Sequence, residues 1–414
     1  MSFRWSHRVL LVLLAAAALR LVFLDAHPPG FFRDEADKGY TTYLLLKEGC
    51  DSTGRSYPLF VRSLRITTSA LYQYIDIPFV AFLGLNEYAV RLPAALAGCG
   101  AVLATCLLAC RWWGVRAGFF AALFLAFSPW HVLLSRWANQ SILLTLWIPL
   151  GVYAFDRFVD AERPNPKFLW GGLTSLAFAL ALYTYAPARL FVPLLLIGLI
   201  VLSFNSPGRW IRHLYPLCLI GLLTIPLVYH VLFESGESAL RFRVISIFGA
   251  STVWEMMYLF IKNYLAHLSP GFLFLGGDSN PRHSIGFPGQ IQIYLLPLIL
   301  LGLWHCFRRR GRTERFLLLW FFLFPVAAAC TVEGIPHALR SVFGLPVLQL
   351  MAVCGIQGLG EKPFIEWKPR NMRFALIGWG ILTTALIVLF LLVCFHPATY
   401  PARSALYWQY GYRD

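Results

Sequence analysis

The stretch Ser69-Ala70-Leu71-Tyr72-Gln73-Tyr74-Ile75-Asp76-Ile77-Pro78-Phe79-Val80-Ala81-Phe82-Leu83-Gly84-Leu85 is apolar apart from Asp76 and is broken by Pro78. Whether it crosses a membrane decides the topology of the whole chain. Eleven other apolar segments flank it, at about 9–24, 92–110, 117–134, 141–155, 168–184, 188–203, 214–232, 291–307, 316–330, 338–356 and 374–395. Each approaches the ~20 residues that a helix needs to cross a ~30 Å hydrocarbon layer. Between them lie six basic clusters: Arg4 with Arg8, Arg111 with Arg116, Arg157 to Lys167, Arg209 with Arg212, Arg308 to Arg315, and Lys362 to Arg373. Short basic loops stay cytoplasmic. If 69–85 spanned, the Arg308–Arg315 cluster would lie outside; if it lies at the interface, all six clusters face inward. The sequence therefore predicts eleven spans, a cytoplasmic N-terminus, an outer C-terminus, and 69–85 as an interfacial helix.

This topology accounts for most of the charge. The chain carries 35 Lys and Arg against 20 Asp and Glu, a formal +15, of which +12 falls on the inner segments, +2 on the outer ones and the last on Arg20 within the first span. Of its 414 residues 58% are hydrophobic and 13% charged, and the mean hydropathy is +0.64. That balance excludes one large aqueous domain, a disordered chain and a nucleic-acid binder working in water. Of the nine cysteines only Cys50 lies clearly in an outer loop, so no disulfide framework is expected. The first span reads as an uncleaved anchor.

The polar chemistry is expected outside. Residues 1–395 read as one membrane domain with outer loops 25–91 and 233–290, and 396–414 as a short outer tail with no soluble C-terminal domain. The first loop opens Pro28-Pro29-Gly30-Phe31-Phe32-Arg33-Asp34-Glu35-Ala36-Asp37-Lys38-Gly39-Tyr40. Tyr40, Tyr43, Leu44 and Lys47 then recur at helical spacing until Gly49, which suggests an amphipathic helix on the outer leaflet. Asp34 at its start is either a helix cap or a carboxylate held at headgroup depth as a general base. The other outer connections carry Arg136, Tyr183, Tyr185, Arg189, Arg282, His283, His337 and Arg340. Arg and His can hold a phosphate and aromatic faces can stack on a sugar, although singly each is also an ordinary interfacial anchor.

Several of these segments resemble the bacterial GT-C glycosyltransferases, relatives of protein O-mannosyltransferases and lipid A aminoarabinose transferases. They are Phe32-Arg33-Asp34-Glu35-Ala36, Asn86-Glu87-Tyr88-Ala89-Val90-Arg91-Leu92-Pro93-Ala94-Ala95-Leu96, Ser128-Pro129-Trp130-His131 before Ser135-Arg136, Leu182-Tyr183-Thr184-Tyr185 with Ala188-Arg189, Pro281-Arg282-His283-Ser284, and Pro336-His337-Ala338-Leu339-Arg340-Ser341. The resemblance implies an all-α polytopic GT-C-like fold in a bacterial cytoplasmic membrane. It also implies inverting transfer of a sugar from a polyprenyl-phosphate donor to an acceptor hydroxyl on the periplasmic or extracellular side. Asp34 falls on the family's catalytic carboxylate, with Glu35 as helper or alternative base. Arg282, His283, Arg340 and His337 are the candidates for the donor phosphate. Tyr40, Tyr72, Arg136, Tyr183, Tyr185 and Arg189 are the candidates for the sugar or acceptor.

Two positions depart from the family pattern. Arg65-Ile66-Thr67-Thr68-Ser69 stands where relatives often have a Tyr-Lys-Pro-like segment, and Gln140 stands near a common acidic position. No cofactor is required by this reading. Asp34, Glu35 and Asp37 could still bind a hard divalent cation. The absence of a recognition module favours a lipid-linked or small glycan acceptor over a folded protein. The rival readings are a multi-pass transporter or lipid-linked-glycan flippase, which would place ionisable residues at mid-depth, and a non-catalytic assembly subunit, which would not need Asp34.

Overall fold

The computed structural model describes residues 7–63, 66–203, 211–234, 236, 244–250, 252–359 and 369–409. Arg4, Arg65, Arg209 and the start of the Lys362–Arg373 cluster lie outside them. Helix fills each of the eleven apolar segments. In chain order the first are α1 (His7–Leu21), α4 (Glu87–Trp113), α5 (Val115–Ala126) continued by α6 (Pro129–Leu134), α7 (Leu143–Asp160), α8 (Pro164–Thr184), α9 (Ala188–Ser203) and α10 (Ile211–Tyr229). The later ones are Leu296–Arg309, Arg312–Leu323, Gly344–Leu359 and Pro369–Phe395. Four helical stretches, including Glu87–Trp113 and Ile377–Phe395, are long and apolar enough to cross a membrane by themselves. Alanines let the helices approach closely: Ala94, Ala95, Ala101, Ala121 and Ala122 are wholly buried in the α4–α5 contact region. Many leucines and isoleucines, such as Leu11, Ile197, Leu222 and Ile381, face outward, as expected where the solvent is lipid.

The segment between α1 and α4 holds α2 (Arg33–Lys47), a hairpin of β1 (Phe60–Ser63) and β2 (Ile66–Ser69), and α3 (Leu71–Leu83). The stretch that decides the topology thus folds as a helix of 13 residues. At 1.5 Å per residue that is about 20 Å, short of the hydrocarbon thickness. It packs against α2 and α4. Helix α2 is amphipathic: Glu35, Lys38, Thr41, Thr42, Leu44 and Leu45 are buried while Tyr40 and Tyr43 are exposed.

The segment between α10 and the helix Leu296–Arg309 carries a helix that the sequence does not reveal, Val253–Leu268. Trp254, Met257, Tyr258, Ile261 and Leu265 are exposed along it, whereas Asn263 and His267 are buried and aimed at the bundle. The tail also has structure, a short helix at Tyr400–Ser404 followed by a 3-10 turn at Ala405–Trp408.

Candidate active site

Three buried arginines pin helix ends and the turn that leads into α2. Arg20, wholly buried, donates to the carbonyls of Ala16, Leu125 and Ala126, and also donates to His131 Nδ1 at 2.7 Å. This leaves His131 Nε2–H to face the Thr145 hydroxyl at 3.2 Å. Arg20 thereby closes the carbonyl end of α5, pairing the Leu125 and Ala126 acceptors. Arg136 does the same for α1, donating to Leu19, Val22, Phe23 and His27 carbonyls. Arg91 donates to the carbonyls of Leu24, Asp25, Pro28 and Gly30 and so fixes the turn that precedes α2.

Arg91 also forms a two-pronged ion pair with Glu35, Nε to Oε1 at 2.9 Å and Nη2 to Oε2 at 3.0 Å, with both side chains fully buried. Glu35 Oε1 accepts a further bond from the Ala138 N–H and Oε2 one from the Phe32 N–H. The latter is the reciprocal half of a capping box at the start of α2. Every acceptor direction of Glu35 is therefore occupied by the scaffold. Phe32 takes the N-cap position, so Asp34 is not the cap. Its side chain is 42% exposed, and its recorded partner is Arg33 at 3.6 Å. The two adjacent carboxylates thus have opposite surroundings.

From Asp34 a continuous set of side chains leads into the second loop. The Arg282 guanidinium lies 3.7 Å from the Phe32 ring centroid. Burial lowers its pKa, while the negative charge of Asp34 works in the opposite direction. Phe32 meets Trp137 edge-on, and Trp137 stacks on His283. His283 Nδ1 pairs with Asp278 Oδ2 at 3.0 Å. Asp278 also accepts the N–H groups of Ala338 and Asn280. Burial alone would raise the Asp278 pKa, but these bonds and the charge of His283 more than offset it and hold the carboxylate below its ordinary value.

His337 lies 5.0 Å from His283, ring to ring. Its backbone N–H donates to His267 Nε2 at 3.0 Å, while His267 Nδ1 donates to the Asn263 carbonyl. Burial pushes His267 down to about 4. It likewise pushes His337 down to about 3, helped by the charge of Arg340. Both imidazoles are neutral at pH 7.

The structure also redistributes roles expected from sequence. Arg136 is a helix-terminating clamp rather than a sugar ligand, because its donors all meet carbonyls. Arg340 is held by Thr331 Oγ1, the Glu333 carbonyl and the Glu333 carboxylate. Tyr72 is buried with its hydroxyl on the Val90 carbonyl. Tyr183 donates to the Leu223 carbonyl, and Tyr40 is 55% exposed on the outer side of α2. Tyr185 and Arg189 are half-buried around the α8–α9 turn. Asp34, Arg282, His283 and His337 are the expected residues that come together.

The same neighbourhood contains residues without a role in the sequence reading. Lys38 is buried with its Nζ donating to the Asp34 carbonyl at 3.3 Å. Burial lowers its pKa against the pull of Asp34, Asp37 and Glu35. Asp37 is raised by burial and accepts the Ser63 hydroxyl at 2.5 Å. With Glu35 bound to Arg91 and Asp37 to Ser63, the three acids of α2 do not converge on one point. Among the described residues the set with metal-ligand geometry is Asp278, His283 and His337, whose ligand atoms all lie within 4.8 Å of one another. One carboxylate and two imidazoles suit a borderline divalent cation.

Comparison with known proteins agrees with this architecture. Residues 70–233, less than half of the chain, match the family model described as dolichyl-phosphate-mannose-protein mannosyltransferase. The fold is that of ArnT from Cupriavidus metallidurans, with TM-score 0.59 and 17% identity over 97% of this chain and 69% of that one. The undecaprenyl-phosphate-bound form of ArnT matches at TM-score 0.60 and 16% identity, with the same coverage. The Archaeoglobus fulgidus oligosaccharyltransferase AglB, solved with an inhibitory peptide and a dolichol-phosphate, matches at TM-score 0.52 and 12% identity over 96% of this chain and 55% of its own. A search of curated protein sequences gives no significant match. The chain shares the fold of these proteins, and four of its described helices are long and apolar enough to cross a membrane.

Proposed function

We propose that this protein is a glycosyltransferase that moves a sugar from a polyprenyl-phosphate donor to an acceptor hydroxyl, with inversion at the anomeric carbon. The reaction would take place on the outer face of a bacterial cytoplasmic membrane. The family match and the GT-C fold support lipid-linked sugar transfer. The observation that carries the residue assignment is the contrast between exposed Asp34 beside Arg282 and fully occupied Glu35.

In this mechanism the acceptor oxygen attacks the anomeric carbon as the bond to the phosphate oxygen breaks. The hydroxyl proton passes to the Asp34 carboxylate. The bonding pair leaves with the lipid phosphate, which gains negative charge. Arg282 stabilises that charge from its partly desolvated position, where a cation is worth more than in water. Asp278 holds the neighbouring His283, which with His337 completes the phosphate side. If a divalent cation binds there, these three residues would hold it, and it would supply further positive charge for the phosphate.

A lipid-linked or small glycan is the proposed acceptor. The transporter reading finds little support, because Arg20, the wholly buried cation of α1, is bound to helix carbonyls rather than lining a path.

The test is transfer from a labelled polyprenyl-phosphate sugar by wild type, Asp34→Asn and Asp34→Ala in membranes of matched expression. Wild type should transfer and both variants should lose activity. Normal transfer by both would remove Asp34 as the base, and a wild type that moves lipid or solute across vesicles without transfer would remove the enzyme reading.

A further inference from the structure

The tail after the last long helix returns to the candidate site and touches it from three directions. Tyr400, almost wholly buried, donates its hydroxyl to the Pro281 carbonyl at 2.7 Å, immediately before Arg282. Arg403 reaches the Ile285 carbonyl on the far side of the same loop at 3.4 Å. Trp408 is fully buried and meets Trp137 edge-on at 5.6 Å between centroids. Its backbone presses on Gly30: a Cβ added there would lie 2.9 Å from the Trp408 carbonyl oxygen, and Gly30 has φ +106°. Only glycine meets both conditions comfortably.

Gln409 follows in the left-handed region at φ +49°, a costly conformation for a residue with a side chain. In that conformation its Oε1 accepts the N–H of Arg33 at 3.4 Å. Arg33 opens α2 and directly precedes Asp34. Its N–H is one of the orphan donors that every helix start presents.

The tail therefore contacts the turn carrying Asp34, the loop carrying Arg282, and the tryptophan between them. We propose that Tyr400–Gln409 forms a third wall of the site, in which Trp408 and Gln409 are positioning residues that hold Asp34 at a fixed setting relative to Arg282. This rests on the assignment of Asp34 as base. The distance between the base and the phosphate cation fixes where the acceptor oxygen and the anomeric carbon meet. Errors of an ångström in such a setting cost rate rather than binding. Arg33 and Asp34 sit in the first turn of α2, which Glu35 anchors from below; Gln409 supplies the contact from above.

Kinetic and accessibility measurements on the full chain in nanodiscs test this. Gln409→Ala should lower kcat about tenfold while the acceptor KM stays within about twofold. Gln409→Glu keeps an acceptor for the Arg33 N–H but places a second negative charge near Asp34. It should recover part of kcat and move the acid limb of the kcat–pH profile upward by about one unit, because a like charge disfavours ionisation of the base. A merely structural wall would leave that limb in place.

Access is read without transfer activity. In a Cys50→Ala background, Asp34→Cys labels with a charged thiol reagent, and adding Trp408→Ala should raise the labelling rate about fivefold as the wall opens locally. Trp408→Phe, which keeps an aromatic ring, should stay near the parent rate and guards against misfolding of the alanine variant. Unchanged labelling with Trp408→Ala, or an unmoved pH limb with Gln409→Glu, overturns the proposal. Absence of transfer in wild type with an intact labelling difference would instead overturn the assigned reaction and leave the wall standing.

Discussion

The two ends of the helix bundle treat charge in opposite ways. At the end remote from α2, Arg111 and Arg312 converge on Asp156 and Asp160, with contacts of 2.9 Å from Arg111 to Asp156, and 3.0 and 2.8 Å from Arg312 to Asp156 and Asp160. Two cations and two anions close on each other and tie α4, α7 and the helix Arg312–Leu323. At the α2 end, Arg20, Arg91 and Arg136 instead bind backbone carbonyls at helix ends and turns, and Glu35 is the acid drawn in beside them. What stays outside that scaffold is Asp34 and Arg282. The remote end is a closed circuit of charge, whereas the α2 end is built around charges left available.

The sharpest way to break the comparison is to exchange the fates of the neighbouring carboxylates. Asp34→Asn should lower kcat by roughly a thousandfold, the range of a positioned general base, with a change in stability within about 0.5 kcal/mol. Glu35→Gln leaves Arg91 buried without its anion and should destabilise by about 3–5 kcal/mol. Its readout is loss of folded protein in a detergent thermal-shift assay. If Glu35→Gln folds normally and loses only activity, Glu35 is the base and the assignment reverses.

A second break targets the second outer loop. Asp278 joins His283 to the Ala338 backbone, so Asp278→Asn weakens one charged bond and leaves Ala338 N–H facing a poorer acceptor. The expected loss is about 1–3 kcal/mol of stability, with transfer reduced by about tenfold through misplacement of His283. The Asp278 carboxylate is held below its ordinary pKa. Its contribution is present above the ordinary carboxylate value of about 4 and is lost as pH falls through the depressed value. Asp278→Asn should therefore remove part of the acid-side slope in melting temperature, and an unchanged slope would show that the carboxylate is not ionised in the fold.

The histidines sharpen the same contrast by pH. His267 and His337 fall to about 4 and about 3 on burial, below the ordinary value of about 6.5. Between those values the unfolded chain binds more protons than the folded one, so stability falls as pH drops from about 6.5 toward 4. His267→Asn should flatten this fall in a thermal-shift series without altering the neutral-pH kcat by more than about twofold. A slope equal to wild type would place the acid sensitivity elsewhere.

Much of this division was legible in the sequence because it follows periodicity and charge placement. The apolar segments and the basic loops bounded the helices, and the stretch with Asp76 and Pro78 forms the 13-residue α3. The Arg33-Asp34-Glu35 and Pro281-Arg282-His283 segments located the region of the site. The local string could not tell which charged residues are consumed by the scaffold. Arg136 and Arg282 are both arginines in outer connections flanked by aromatics, yet one is bound to four carbonyls near the end of α1 and the other lies over Phe32. That distinction depends on contacts more than a hundred residues apart. The tail was missed for a related reason: Tyr400, Trp408 and Gln409 show no strong periodicity, and their meaning comes from Pro281, Gly30 and Arg33. The helix Val253–Leu268 escaped because its apolar face lies outside while its polar side chains point inward, the reverse of a soluble amphipathic helix.

The smallest expected effect comes from the remote end. Arg312 is about one quarter exposed, whereas Asp156 is almost wholly buried. Arg312→Gln removes one of two cations on Asp156 but leaves Arg111 Nε at 2.9 Å and the Asp160 contact of Arg111 in place. Because the charge that is lost is partly solvated and its partner keeps a second cation, the cost should be about 1 kcal/mol or less. In transfer assays the variant should match wild type, since no contact of this cluster reaches Asp34. Combining Arg312→Gln with Arg111→Gln strands Asp156 without either cation, so the pair should cost more than the sum of the single changes. Strict additivity would mean that the four charges act as independent surface pairs. A measured excess would establish that the remote end is one coupled network, in contrast to the exposed Asp34 carboxylate on which the proposed chemistry turns.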